Sequence, residues 1–562
     1  MSMANIAGVH RWPGTPEAYL MVQSHLGDRR ALARELRLDS DASDEELVAA
    51  AYHRWGVDCA AHFVGPFGFA IWDPSTGLFI LGRDHTGQAP LFFASTSDAV
   101  VFGTDIEDVL AHPDVSDEVD LEAVALYEAR VFRPMLRRSF FKGIRKVEPG
   151  TVVTFKPNSR LVHRYWRPEE VEVEEGRSVE DCAAELRELL QVCVADALPP
   201  DAKIGAHLSG GLDSSAIAVI ADEELKRQGR RLEGVFSWAP TPTGPIPPSP
   251  DLRNLQDERW LVELVCQQQG WSPVYSDPDL APLPAVAGLD PLLFPPGRWW
   301  REGEVANNAK HSGISVLLSG WGGDELISHN GRSKLAHLLR CGRLGQTWSE
   351  SKKRALVTGT SSTTILGSAV MGCLPENLIG RVRSLALNPS NASRSVHRES
   401  ERMWRVLSPK VANELRKQRR QFGACVSPHD LQITLLHSGY VTRRLESFAK
   451  YGSQLQVDYR YPLLDPRIME LALRASDGCY LSEGTKRRMF RIAVAHALPG
   501  PVVENPFKVE PALTTAGKRH RSLRTATDSR STRWAEATAI LNTADRVNQR
   551  RREAHQAEPA SR

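Results

Sequence analysis

Lys203-Ile204-Gly205-Ala206-His207-Leu208-Ser209-Gly210-Gly211-Leu212-Asp213-Ser214-Ser215-Ala216 is the stretch whose reading decides the fold. It opens as a short apolar strand over 203–208 and turns at Ser209-Gly210-Gly211. It then leaves from Ser214 with helical spacing that continues over 216–228. Glycine lets a backbone turn sharply and come close to a ligand. A helix start offers N–H groups with no intrahelical partner and a partial positive charge, which together seat phosphate. Ser209, Ser214 and Ser215 add hydroxyl donors. Asp213 repels bare phosphate, so its place in the loop makes sense when Mg²⁺ stands between them. A plain glycine turn capped by Ser or Asp is the bland alternative, and the flanking strand and helix weigh against it. The pattern GxxxxGK[ST] is absent, so a kinase-type P-loop is not supported.

A second loop repeats the design. Ile314-Ser315-Val316-Leu317-Leu318 reads as a strand that ends at Ser319-Gly320-Trp321-Gly322-Gly323-Asp324-Glu325. Ligands of open α/β sheets gather at the carboxyl ends of strands. Two such ends meeting across one site let Asp213 and Asp324 share Mg²⁺. Further strands at 234–238 and 273–275 alternate with helices at 179–197 and 258–269, which argues for a parallel sheet covered by helices. The region before about residue 166 has another rhythm. Phe67-Gly68-Phe69-Ala70-Ile71-Trp72-Asp73 and Leu78-Phe79-Ile80-Leu81 flank the turn Pro74-Ser75-Thr76-Gly77 as a hairpin. Segments 91–94, 100–103 and 152–155 add strands, and the acidic run 167–177 marks the boundary. Residues 240–250 are too proline-rich for helix or strand.

The 562 residues suit two or more domains, and a hydrophobic content of 41% beside 25% charged residues is ordinary for a soluble globular chain. No apolar run approaches the roughly 18 residues of a membrane span. The start shows no secretion signal. Eight scattered cysteines form no CxxC pair, so cytoplasm and reduced thiols are expected. Residues 332–420 hold 18 Lys or Arg against five Glu and no Asp, a formal charge of +13. A solvated helical face is the plain reading of that segment; an acidic peptide or RNA is the alternative, and no RNA-recognition motif accompanies it.

Ser209 to Ser215 resembles the SGGxDSS loop of the asparagine synthetase family, and Ser319 to Glu325 is similar to that family's second magnesium loop. Tyr461-Pro462-Leu463-Leu464-Asp465 resembles its VPFLD stretch, and Gly484-Thr485-Lys486 its Gly-x-Lys element. Gly65-Pro66-Phe67-Gly68-Phe69-Ala70 and Gly82-Arg83-Asp84-His85-Thr86-Gly87-Gln88 resemble the family's glutaminase-like domain. The resemblance implies an α/β chain with an Ntn-type αββα domain over 1–170. A PP-loop ATP-pyrophosphatase domain with a parallel sheet follows over 178–511, then a polar, Arg-rich tail over 512–562. It implies ATP and Mg²⁺ as cofactors. ATP would contact Leu208, Ser209, Gly210, Gly211, Leu212, Asp213, Ser214, Ser215, Phe236, Ser237, Gly320, Trp321 and Lys486. Asp213 and Asp324 would hold the metal, and Asp213, Asp324 and Lys486 would carry the catalysis.

Two departures narrow the expectation. Glutaminases of this family need cysteine after the initiator Met, whereas the chain reads Met1-Ser2-Met3 and its first cysteine is Cys59. Glutamine is therefore not the expected nitrogen donor. β-Lactam synthetases carry a catalytic Tyr where Trp321 stands, and an indole N–H only donates. Trp-Gly-Gly-Asp is more similar to lasso-peptide cyclases, which join a peptide's Asp or Glu side chain to its N-terminal amine. The partners so implied are a ribosomal precursor peptide freed of its leader, with a leader peptidase and a leader-recognition protein, and neither nucleic acid nor membrane. An asparagine synthetase-like use of ammonia, or a binding protein with a dead ATP site, are the rival expectations. Lys508 reads as a surface charge, Glu446 as an ion-pair partner of Arg443 or Arg444 (with orienting the amine as the sharper role), and Asp465 before Pro466 as a helix N-cap.

Overall fold

The computed structural model describes residues 5–12, 17–128, 130–242, 244, 246, 257–277, 292–293, 299–373, 413–414, 416–417 and 427–506. Ser2, Lys508, the 512–562 tail, part of the 240–250 loop and much of the basic 332–420 segment lie outside them.

Among the described residues, nine strands form two antiparallel sheets in the first domain. Strands β1 (Ala7–Arg11), β5 (Phe92–Ser95), β6 (Ala99–Gly103) and β7 (Ile144–Lys146) take the order β1-β6-β5-β7. Strands β2 (Tyr19–Ser24), β3 (Phe67–Asp73), β4 (Leu78–Arg83), β8 (Thr151–Lys156) and β9 (Ser159–Arg164) take the order β2-β3-β4-β8-β9. Side chains alternate across a strand, and β3 uses both faces. Phe67, Phe69 and Ile71 bury against Leu47, Val48 and Ala51 of the helix Asp44–Trp55. Ala70 and Trp72 face the space between the sheets with Phe79, Phe93 and Phe102. Helices Ile106–Leu110 and Leu121–Glu128 cover the other sheet. The result is the four-layer αββα sandwich that the resemblance implies. Strands β1, β2, β7 and β9 went unread in the sequence. β9, Ser159–Arg164, is mostly exposed and shows no half-apolar alternation.

The second domain is built on one parallel sheet. Strands β10 (Ile204–His207), β11 (Gly234–Ser237), β12 (Pro273–Tyr275), β13 (Val316–Leu318) and β14 (Asp458–Arg460) lie in the order β12-β11-β10-β13-β14. Helices Val179–Asp196, Leu212–Arg227, Arg259–Gln269, Trp299–His311 and Tyr440–Leu455 join this core. The chain runs outward from β10 to β12, then returns to β10's other side with β13. The strand order therefore reverses between β10 and β13, where open α/β sheets place their ligands. β14 was invisible to hydrophobic pattern because Tyr459 stands between Asp458 and Arg460. The helix after the first glycine loop begins at Leu212, with Gly211 as its N-cap, two residues before the expected Ser214. Burial of Leu212 in the core accounts for the earlier start. Asp465 is an N-cap as read: its carboxylate accepts from Arg467 N–H at 3.0 Å, with Pro466 in the first turn.

The domains meet through buried charge. Glu446 does not pair with Arg443 or Arg444. Those arginines lie three and two residues before it on the helix Tyr440–Leu455, but its side chain reaches the first domain. It accepts from Arg83 at 3.0 Å and from Lys146 at 2.6 Å. These cations hold its carboxyl below the ordinary glutamate value against the opposing effect of burial.

Candidate active site

Neighbouring strands β10 and β13 run parallel with Ala206 beside Leu318, so their two loops leave the sheet at the same edge. The loops then touch. A Cβ on Gly320 would stand 2.5 Å from the Asp213 carbonyl carbon and the Ser214 nitrogen. One on Gly323 would stand 2.8 Å from the Asp213 carboxyl carbon. Only glycine permits that approach. It brings Asp213 and Asp324 to a common guanidinium: Arg487 reaches Asp213 Oδ2 at 3.5 Å and hydrogen-bonds Asp324 Oδ1.

The helix Leu212–Arg227 begins with no side chain capping its N-terminus. Ser209 N–H donates to Ser214 Oγ at 3.1 Å, and the two hydroxyls lie 2.7 Å apart. Ser215 is buried, its hydroxyl without a hydrogen-bond partner among the described residues. Leu208 and Phe236 are buried in the core, and Leu208 N–H donates to the Phe236 carbonyl at 2.9 Å. The Ser237 carbonyl accepts from Ser276 N–H at 2.8 Å. Both carbonyls thus already have a partner within the sheet and its turn.

Lys486 arrives on a two-strand ribbon, β15 (Leu481–Ser482) against β16 (Thr485–Lys486). Arg491 Nε donates to the Lys486 carbonyl at 2.8 Å, and buried Arg354 Nη1 to the Gly484 carbonyl at 2.9 Å. The charges that bear on Lys486 are cations. Burial first, then Arg354, Arg332 and Arg487, push its ammonium down to about 8. Burial, Arg487 and Arg354 push Arg491 down to about 10. For Arg487, burial works against the charge, but Asp213 and Asp324 outweigh it and hold the guanidinium above its ordinary value. Burial and the Asp324 charge push Glu325, half-buried at the end of the same loop, up to about 7.

Across the site stands Trp321, its ring centroid 6.1 Å from Tyr461 and 6.4 Å from Tyr440. The Arg444 guanidinium lies between rings, 4.7 Å from Trp321 and 4.4 Å from Phe448, and pairs with Glu302 at 2.7 Å. Burial raises the Tyr461 phenol well above its ordinary value, so it is no base near neutrality. Tyr461 also lines a cavity of about 120 Å³ at the domain junction, with Gln23, His25, Phe132 and Arg460.

Sequence reasoning thus found residues the structure brings together: Ser209 to Ser215, Gly320, Trp321, Asp324 and Lys486. It missed Arg354, Arg487, Arg491, Arg444 and Glu302. The run Lys486-Arg487-Arg488 was visible, but which of its cations turns inward depends on the ribbon and the helix start at Arg488. No group of three or more His, Cys, Asp or Glu forms a metal cage among the described residues. Two carboxylates suit Mg²⁺ nonetheless, since it is bound through one or two carboxylates together with substrate phosphates. The glycine cradle and the convergence of Asp213 and Asp324 on one cation fit that ion.

An asparagine synthase family model matches residues 185–272 and 302–561. The chain belongs to the asparagine synthase family. A glutamine amidotransferase domain model matches residues 25–166. Asparagine synthetase [glutamine-hydrolyzing] 3 of Bacillus subtilis is 33% identical over 38% of this chain and 35% of its own length. The amidase chyE of Penicillium rubens is 31% identical over 35% of this chain and 29% of its own. A putative asparagine synthetase of Mycobacterium bovis is 28% identical over 39% and 36%. The chain therefore spans about a third of the length of these curated relatives. Among solved structures, the glutamine phosphoribosylpyrophosphate amidotransferase of B. subtilis aligns at 17% identity over 44% of this chain and 51% of that chain, with a TM-score of 0.20. That likeness is too slight to carry weight. In the first domain, Cys59 is buried among Leu47, Ala60 and Phe63, and burial pushes its thiol up to about 12, far from a thiolate nucleophile. No helix among the described residues is long and apolar enough to cross a membrane.

Proposed function

We propose that this chain is an ATP-dependent amide synthetase that adenylates a peptide Asp or Glu side chain and closes a macrolactam with the peptide's N-terminal amine. One observation carries the adenylation: two carboxylates and a surplus of cations converge where two parallel strands end side by side. Bound Mg²⁺–ATP supplies the adenylyl group and an already neutralised leaving pyrophosphate. Asp213 and Asp324 hold the metal. Lys486 and its arginine neighbours oppose the charge that develops as the bond between the α-phosphorus and its bridging oxygen breaks. The substrate carboxylate takes the AMP, and the amine then attacks the acyl carbon, releasing AMP and one proton. An α-amine has a pKa of about 7.7–8.0, so a useful fraction is neutral near pH 7 without a dedicated base. Positioning the amine near the acyl carbon is the protein's remaining task.

Trp321 favours the cyclase over a β-lactam synthetase, because an indole cannot take a proton from the amine. The buried Cys59 favours a nitrogen donor other than glutamine. The names of the curated relatives favour the second reading, an asparagine synthetase-like enzyme that uses ammonia. Product analysis separates the two. The cyclase reading expects an acidic peptide to lose one water on incubation with ATP and Mg²⁺. Efficient conversion of aspartate and ammonia to asparagine, with no peptide product, would give the site to the second reading. The precursor peptide, its leader peptidase and a leader-recognition protein are the partners this proposal requires.

A further inference from the structure

Arg487 spans the two carboxylates that the metal needs. Its Nη1 stands 3.5 Å from Asp213 Oδ2, and its Nη2 bonds Asp324 Oδ1. A guanidinium and a divalent cation cannot occupy the same pair of carboxylates. We propose that Arg487 is the resident counter-cation of the metal seat: it clamps Asp213 and Asp324 together before Mg²⁺ arrives, and then crosses to the pyrophosphate. This inference rests on the assignment of Asp213 and Asp324 as metal ligands.

Three features of the chain support the exchange. The first is backbone shape. Arg487 has φ 57° and ψ 34°, the left-handed region, although it is not glycine. That conformation is strained for an L-residue with a Cβ. It is held by a hydrogen bond from Arg487 N–H to the Tyr480 carbonyl at 2.6 Å, and the Arg487 carbonyl accepts from Arg491 N–H at 3.0 Å. The strained residue is the one whose side chain meets both carboxylates, which is how functional sites hold strain. The second is position. Lys486 directly precedes Arg487 in the chain, so an arginine released from the carboxylates stays beside the lysine assigned to the phosphates. The third is charge. Mg²⁺ brings two charges to the pair of carboxylates where the guanidinium brings one, so the ion is the better match once it arrives. The planar fork of arginine suits both roles, because it matches carboxylate and phosphate oxygens alike.

The exchange predicts opposite effects on two ligands, and a purely structural arginine has no reason to produce both. The test uses the full-length protein with MgCl₂ alone, followed by thermal melting, and with pyrophosphate at saturating Mg²⁺, followed by calorimetry. Arg487→Asn keeps a residue that tolerates the left-handed backbone but cannot span the carboxylates. It is expected to lower the Mg²⁺ midpoint about tenfold and to weaken pyrophosphate about tenfold, the worth of one charge-assisted hydrogen bond. Arg487→Lys keeps the charge without the fork, and a shift in the same two directions of about threefold is expected. An unchanged or raised Mg²⁺ midpoint in both variants would overturn the exchange, provided Asp213→Asn abolishes the Mg²⁺ response. If Asp213→Asn leaves the Mg²⁺ response intact, the metal assignment itself falls and takes the proposal with it. Should Arg487→Asn not fold, the lysine variant decides: pyrophosphate bound as tightly as by the unaltered protein counts against the exchange.

Discussion

The domain junction and the candidate active site each gather half-buried or buried charges, and the two are balanced in different ways. At the junction each nitrogen of the Arg83 guanidinium donates: Nε to the Ala89 carbonyl at 2.8 Å, Nη1 to the Val147 carbonyl at 2.9 Å, and Nη2 to the Gly87 carbonyl and Glu446. Lys146 completes the neutralisation of Glu446. At the active site, Lys486 faces Arg354, Arg332 and Arg487, and its proton is held more weakly than in water. Closed accounts of charge are architecture. An open surplus is a seat for an anion that comes and goes, since strongly perturbed groups in a cleft mark function.

Glu446→Gln attacks the closed cluster and leaves Arg83 and Lys146 without their carboxylate. A loss of about 3–5 kcal/mol in urea unfolding is expected, with ATP–pyrophosphate exchange per folded molecule little changed. Lys486→Met attacks the open cluster, and the pattern inverts: exchange falls about 10²–10³-fold while unfolding without ligand is not weakened. A Glu446→Gln protein of full stability, or a Lys486→Met protein that unfolds easily yet keeps its exchange rate, breaks the comparison. The same lysine sets a pH dependence. Its folded-state value is depressed to about 8, so its contribution to unliganded stability is highest above the ordinary 10.5 and is lost as pH falls through 8. Anion binding runs the other way: the free site sheds this proton above about 8, while the occupied site keeps it. Pyrophosphate affinity should therefore fall about tenfold per pH unit above 8, and calorimetry on Lys486→Met should show that slope gone. The smallest effect belongs to Arg332, which is exposed at the rim. Arg332→Gln should weaken pyrophosphate roughly twofold at moderate salt, because exposed charge pairs are worth little.

The two glycine loops were legible in the sequence because their demands are local. A strand, a turn without Cβ atoms and a helix start occupy consecutive residues, so Asp213 and Asp324 could be paired before any coordinate was known. The hairpin of β3 and β4 was legible for the same reason: alternation and the Pro74 to Gly77 turn are neighbours in sequence. What escaped depends on contacts between distant segments. Glu446 reaches Arg83 across 363 positions, while the sequence drew attention to the adjacent Arg443 and Arg444. Arg444 meets Trp321 and Glu302 from a separate helix, and Arg354 reaches Gly484 from another. β14 carried no apolar pattern because its place in the sheet comes from pairing with β13, Leu317 beside Tyr459.

Isotope exchange between ATP and labelled pyrophosphate, run with Mg²⁺ and a panel of acidic peptides, tests the central claim most directly. Reversible adenylation at the seat formed by Asp213, Asp324 and Lys486 predicts exchange that requires both the peptide carboxylate and Mg²⁺, and that disappears in Asp213→Asn. Absence of exchange with every acidic peptide and amino acid, or exchange that persists undiminished in Asp213→Asn, would contradict it.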